Sequence, residues 1–356
     1  MNSDLNLRKS HLTILTALVF FIFVLPASGA EVQNLLLAGN KLTLDEAQAL
    51  EQTLKQNPQD IASRTMLIGY YDLNINDVSA RSKKQPHVFW FIQHAPESDV
   101  LGTLAGTLRA SWEKDAYKQG KKLWIDHIGQ RPESLKILEH AANFLLSHDQ
   151  ALAGIYLQKA QQRDAQNPKW PKKLGHLYAQ EIIKWHMLKK DENGKKEAAE
   201  KALAHFEKAY ALSSERDQNR LLHNLAKTAI EAKRWTKAQH YAEQMLLESN
   251  RNSANENNIH TSNIVLGRVA LQRGEIEKAK AYLLKAGDIP ESSRLYSSGP
   301  SMSLANELLD KGEQEVVLAY FELCAKFWKT GRNKLSSWSR SVTNGVKPNF
   351  GPYLMQ

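Results

Sequence analysis

The sequence contains a single cysteine, Cys324, among its 356 residues. No disulfide can form within the chain, so its stability has to come from packing. Cys324 lies in AYFELCAKFW, between Phe321 and Phe327, where apolar residues recur at helical spacing, and a small buried hydrophobe is expected there. Runs of β-branched residues with period-two alternation are also missing, which argues against a sheet. HExxH, GxSxG, a glycine-rich phosphate loop and a paired cysteine motif are all absent. The twelve histidines are scattered, and His140 with His148, or His176 with His186, stand too far apart for an i, i+4 metal pair. No segment is left over for a compact lysozyme-like domain with a buried catalytic carboxylate. No catalytic residue, metal site or cofactor is therefore expected, and the chain is not expected to be an enzyme.

Long apolar runs are scarce, with one exception at the start. Arg8, Lys9 and His11 precede Leu12 to Leu25, an almost unbroken apolar stretch, and Pro26-Ala27-Ser28-Gly29-Ala30 then offers small residues before Glu31. This three-part layout is that of a secretory signal with cleavage after Ala30. The other reading is an uncleaved inner-membrane anchor, for which the run is short of the roughly 20 residues a span needs. Residues 1–30 are thus assigned to a signal peptide and the rest to a periplasmic or secreted protein. The net charge is +9. In an envelope compartment such an excess suits an acidic partner, anionic lipid or polysaccharide. Nucleic acid is not expected, since no groove-reading motif is present.

The sequence is rich in apolar residues at helical spacing, arranged in repeated units. The clearest unit is NIVLGRVALQRGEIEKAKAYLLKA, where Leu266-Gly267 and Ala270 precede a turn at Gly274, and Ala279, Leu283 and Ala286 follow. Two helices pack closely only where a small residue lets their backbones approach, so Gly267 is expected to face Ala279. The same order recurs in Leu222, Leu225, Ala226 and Ala229, then Trp235, Ala238 and Ala242. It recurs again in Leu174-Gly175 and Tyr178, then Ala202, Phe206 and Ala209, a unit stretched by IKWHMLKKDENGKKEAAE, which either lengthens the helices or adds a charged loop. Ile137, Ala141, Phe144, Ala153, Leu157 and Ala160 form a looser copy, and Leu304-Ala305, Leu308, Gly312 and Phe321 another.

These units resemble the tetratricopeptide (TPR) repeat, and the layout as a whole resembles uncharacterised exported bacterial TPR proteins, including the SSGPSMSLANELLDKGE stretch and the late NFG. The resemblance implies an all-α fold, a TPR-like right-handed helical-hairpin solenoid with an irregular C-terminal tail. Residues 134–330 carry the repeats. Residues 31–133 read as more degenerate hairpins, with a capping box at Thr43 to Glu46, a stop at Asn57-Pro58, helices around Leu67 to Tyr71, Trp90 and Trp112 to Ile128, and breakers at Pro96 and Pro132. Residues 250–260, polar and Asn-rich, are expected as a loop. Residues 331–356 hold too much proline and glycine for a helix, yet Phe350, Tyr353 and Leu354 would each gain about 1.5–3 kcal/mol by burial. They are expected to dock on the last hairpin or along the groove. The eight tryptophans are expected to fill gaps between helices, Trp235 and Trp338 being the exceptions.

In the resembled family the first helix of each hairpin lines a concave groove that binds a protein or peptide. Carrying that register over places Lys169, Lys172, His176, Arg220, His223, Asn224, Lys227 and Arg268 along one basic wall, suited to an acidic peptide or a chain-terminal carboxylate. The subgroup that clamps such a carboxylate is matched only at Lys172 and Asn224. His176 replaces an Asn, while Thr261 and Val265 replace a Lys and an Arg. Leu135, Leu138, Leu145 and Leu146 offer an alternative apolar surface. The expected function is an exported scaffold that holds a partner in its groove, or else a peripheral envelope protein with a basic surface.

Overall fold

The computed structural model describes residues 29–189, 191–251, 255–290 and 293–355. Residues 1–28, and with them most of the signal segment, lie outside the described residues. Among the described residues there are seventeen α-helices and no strand, and no helix is long and apolar enough to cross a membrane. The chain divides into two compact units, one up to Gly106 and the other from Thr107.

The first unit contains α1 (Gly29–Gly39), α2 (Leu44–Gln56), α3 (Ile61–Leu73) and α4 (Val78–His94), followed by a short 3-10 turn at Asp99–Gly102. α1 has no counterpart among the elements anticipated from the sequence. It packs on α3 at glycines, since a Cβ on Gly39 would overlap the backbone of Met66 and one on Gly69 would overlap that of Leu36. α2 opens with the expected capping box: the Thr43 hydroxyl accepts from the Glu46 amide at 3.3 Å, and Glu46 accepts from the Thr43 amide at 2.8 Å. Ala47, Leu54, Leu67, Tyr71 and Ala80 form this unit's apolar core, flanked by a set of polar contacts. Lys84, fully buried, pairs with Asp72 at 2.8 Å. His87 sits 3.0 Å from Glu51, which also accepts from the Tyr71 hydroxyl at 2.7 Å.

The second unit runs through α5 (Lys114–Gln130), α6 (Leu135–Leu145), α7 (Gln150–Arg163), α8 (Lys169–Lys184), α9 (Glu192–Leu212), α10 (Glu215–Glu231), α11 (Trp235–Arg251), α12 (Glu256–Gln272) and α13 (Ile276–Gly287). It continues with α14 (Ser293–Ser298), α15 (Ser303–Leu309), α16 (Gln314–Phe327) and α17 (Arg332–Thr343). Hairpins α6–α7, α8–α9, α10–α11, α12–α13 and α15–α16 coincide with the five repeat units, and each packs on the next. The repeat positions are the core: Ala141, Ala153, Leu174, Phe206, Leu225, Ala238, Ala279, Leu283, Leu304 and Phe321 are all buried. Gly175 lies against the Phe206 ring, with no room for a Cβ, and Gly267 faces Leu304, with the Ala279 carbonyl also within reach. Three of the hairpin turns use a left-handed residue. Gly274 (φ +77°) and Gly312 (φ +82°) supply it, whereas Lys233 (φ +56°) occupies the equivalent turn of α10–α11.

Several expectations require correction. Of the Asn-rich segment 250–260, residues 252–254 lie outside the described residues, and the rest belongs to helices: α11 runs to Arg251, and Asn255 caps α12 by accepting from the Asn258 amide at 3.2 Å. The charged insertion from Ile183 takes the first of its two expected forms and lengthens the helices: α8 runs into a π-helical turn at Trp185–Lys189, and α9 has 21 residues. Beyond residue 331, α17 occupies Arg332–Thr343, because Pro348, Gly351 and Pro352 all come after it. Irregular structure is confined to the residues beyond α17, with one 3-10 turn at Gly351–Leu354. Trp338 is not an exception to packing; it is buried among Phe321, Trp328 and Phe350. The exposed tryptophan is Trp112, under the Arg109 guanidinium at 4.9 Å. Cys324 is fully buried, and burial pushes its thiol pKa up.

Candidate functional site

The groove-facing helices α8, α10 and α12 are first helices of consecutive hairpins. Helical spacing puts His223, Asn224 and Lys227 on one face of α10, and Thr261, Val265 and Arg268 on the matching face of α12. With Ile183 of α8, these residues line a cavity of about 220 Å³. A neighbouring cavity of about 280 Å³ shares Ser301 with the first and adds Met187, from the π-helical turn, and Asn257. Ile183 and Met187 remain 48% and 41% exposed, so the cavity mouth has an apolar lip beside the Lys227 ammonium. A π-helical turn inserts an extra residue and re-aims the side chains after it, which fits its position at the edge of a cavity.

Of the eight residues expected along the basic wall, four are brought together here: His223, Asn224, Lys227 and Arg268. The other four stand elsewhere along the helices. Lys169 pairs with Glu139 at 2.5 Å, Lys172 is exposed, the His176 ring lies edge-on to Phe206 at 5.1 Å, and Arg220 pairs with Asp217 at 2.9 Å. Leu138 and Leu145 of the alternative apolar surface are fully buried core residues.

Arg268 lies in the groove, but its charge is met by two carboxylates. It pairs with Glu231 of α10 at 2.6 Å and with Glu307 of α15 at 2.7 Å, and Lys195 of α9 reaches Glu231 at 3.0 Å. Burial alone would raise the Glu231 carboxyl, but Arg268 and Lys195 outweigh it and hold the pKa down to about 2. This cluster ties four helices together. It forms one side of a polar cavity of about 730 Å³, which Trp235 also lines.

Sequence reasoning did not identify the residue shared by all three cavities, Met355. Lys227 Nζ donates to the Met355 carbonyl at 3.0 Å, and the Met302 amide donates to the Tyr353 carbonyl at 2.8 Å. Met302 belongs to a loop held by a buried histidine. His260 Nδ1 lies 2.8 Å from the Ala286 carbonyl, and its Nε2 accepts from the Ser301 amide at 3.0 Å. Burial, and secondarily the nearby Lys227, lower the His260 pKa to about 4, so the ring is neutral around pH 7. The expected docking of the tail thus takes both anticipated forms. Phe350 enters the core of the last helices, and Leu354 with Met355 reaches the groove. The apolar Tyr353-Leu354-Met355 run was the available signal.

The fold and site define a TPR-like helical-hairpin solenoid with a groove occupied by Leu354 and Met355 of the chain's own C-terminal segment. In comparisons with known proteins, the chain matches no family model and no curated sequence. Among solved structures it is similar to the human IFIT1 dimer with m7Gppp-AAAA, with a TM-score of 0.45 and 17% identity over 89% of this chain and 71% of that one. It is also similar to the human IFIT1 dimer with PPP-AAAA, with a TM-score of 0.44 and 15% identity over 89% of this chain and 69% of the other. Likeness at this level concerns the course of the helices alone.

Proposed function

We propose that this protein is an exported scaffold of the TPR type that holds an extended peptide segment of a partner protein between α8, α10 and α12. One observation carries this reading: the chain's own residues 354–355 lie there, with the Met355 backbone carbonyl received by Lys227 and apolar side chains received by the cavity walls. A site that holds a backbone oxygen and apolar side chains fits a peptide better than a compact small molecule. The Lys227 ammonium favours a partner segment that is acidic or rich in carbonyl acceptors. The protein acts in the periplasm or outside the cell, delivered by the segment ending at Ala30.

A photo-crosslinking residue placed at Ile183 should form protein adducts in the native cell. The same residue at Ile155, equally exposed on α7, should not. Adducts of equal yield from both positions would refute the groove reading. N-terminal sequencing of the exported protein should begin at Glu31, and a membrane-retained chain beginning at Met1 would replace secretion with anchoring.

A further inference from the structure

The segment in the groove is held in two unequal halves. Phe350 is 2% exposed and packs its ring against Trp338 at 5.1 Å and Phe321 at 6.1 Å. Gly351 follows at φ +53°, a left-handed conformation that lets the chain turn sharply out of the core. Tyr353, Leu354 and Met355 beyond it are only partly buried. Their carbonyls accept one bond from the Met302 amide and one from Lys227, and both donors sit on elements fixed by other contacts. Met355 lines all three cavities and Leu354 two of them. The cavities are therefore one trough divided by these two side chains, and lifting them would join the apolar lip at Ile183 to the charged chamber at Glu231 and Arg268.

We propose that Phe350 is an anchor, Gly351 a hinge, and Leu354–Met355 an intramolecular plug that must lift before a partner peptide can enter the trough. The proposal rests on the groove reading and adds its regulation. Opening exposes the half-buried Leu354 and Met355 side chains, draws the Tyr353 ring off Trp328 and Trp338, and leaves the Phe350 seat intact, so it is a local event less costly than unfolding the last hairpin. The plug lowers the affinity for any competing peptide by the fraction of time the trough is open. A partner that supplies its own apolar residues and a backbone oxygen to Lys227 replaces the contacts the plug gives up.

The test compares the full-length chain with its L354D/M355D variant, which leaves Phe350 and the groove walls untouched. Hydrogen exchange at the Met302 amide should be about tenfold faster in the variant. The Ser301 amide, bonded to buried His260, should keep its rate. A fluorescein-labelled synthetic peptide spanning residues 349–356 should bind the variant about tenfold more tightly than the native chain. Equal Met302 protection in both chains would overturn the plug, and so would equal peptide binding. Loss of Ser301 protection in step with Met302 would make residues 354–355 part of the structural core and overturn it as well. Failure of the underlying reading shows differently: the plug would open as described, yet a crosslinker at Ile183 in the opened variant would still capture no partner protein.

Discussion

Replacing Glu231 with glutamine keeps the shape of the side chain and removes the charge that Arg268 and Lys195 both face. In the folded protein that carboxyl titrates near 2 instead of near 4.5, because two cations within 3.0 Å outweigh its burial. At about 1.4 kcal/mol per tenfold change in proton affinity, the difference corresponds to roughly 3 kcal/mol of stability at neutral pH. Removing one partner of a buried ion pair costs about 3–5 kcal/mol in general. The lower end applies here, since Arg268 keeps Glu307 and Lys195 keeps Glu192 at 3.3 Å. The pKa of Glu231 is depressed on folding. Its contribution is therefore fully present above the unfolded value near 4.5 and is lost as pH falls from there towards 2. Chemical denaturation followed by circular dichroism should show E231Q destabilised by about 3 kcal/mol at pH 7. Between pH 4.5 and 2 the native chain should lose stability more steeply than the variant, and the two should converge. A loss below about 1 kcal/mol at pH 7, or parallel pH profiles, would refute the account of Glu231 as a buried, doubly paired anion.

Gly267→Ala should cost about 1–3 kcal/mol in the same assay. The added methyl overlaps the fully buried Leu304 side chain and comes within 3.1 Å of the Tyr282 Cβ, and an unchanged denaturation midpoint would mean this interface is looser than described. The Cys324 thiol, fully buried and with its pKa raised by burial, should react with a thiol reagent only at the rate of unfolding. Stoichiometric labelling of the native protein within minutes would contradict its burial.

The five repeat hairpins were legible in the sequence because close helix packing demands small residues at fixed intervals. Gly267 opposite Ala279 and Gly175 under Phe206 meet that local requirement. The capping box at Thr43 and the buried role of Cys324 were legible for the same reason, since each depends on a few neighbouring residues. Lysines on a predicted groove wall were legible as positions but not as charges. The sequence places Arg268 in line with Lys227, while the fold brings Glu231 and Glu307 from two other helices to neutralise it. Composition also misjudged the chain after residue 331. The prolines and glycines there are real breakers, but they cluster behind a helix that Trp338 fixes into the core. The sequence by itself determined the repeats, the spacing of the wall and the apolar character of the last residues. Only the tertiary structure decided that those last residues enter the groove, because the contact between Lys227 and Met355 spans more than a hundred residues and depends on how the stack returns the chain, which no local pattern encodes.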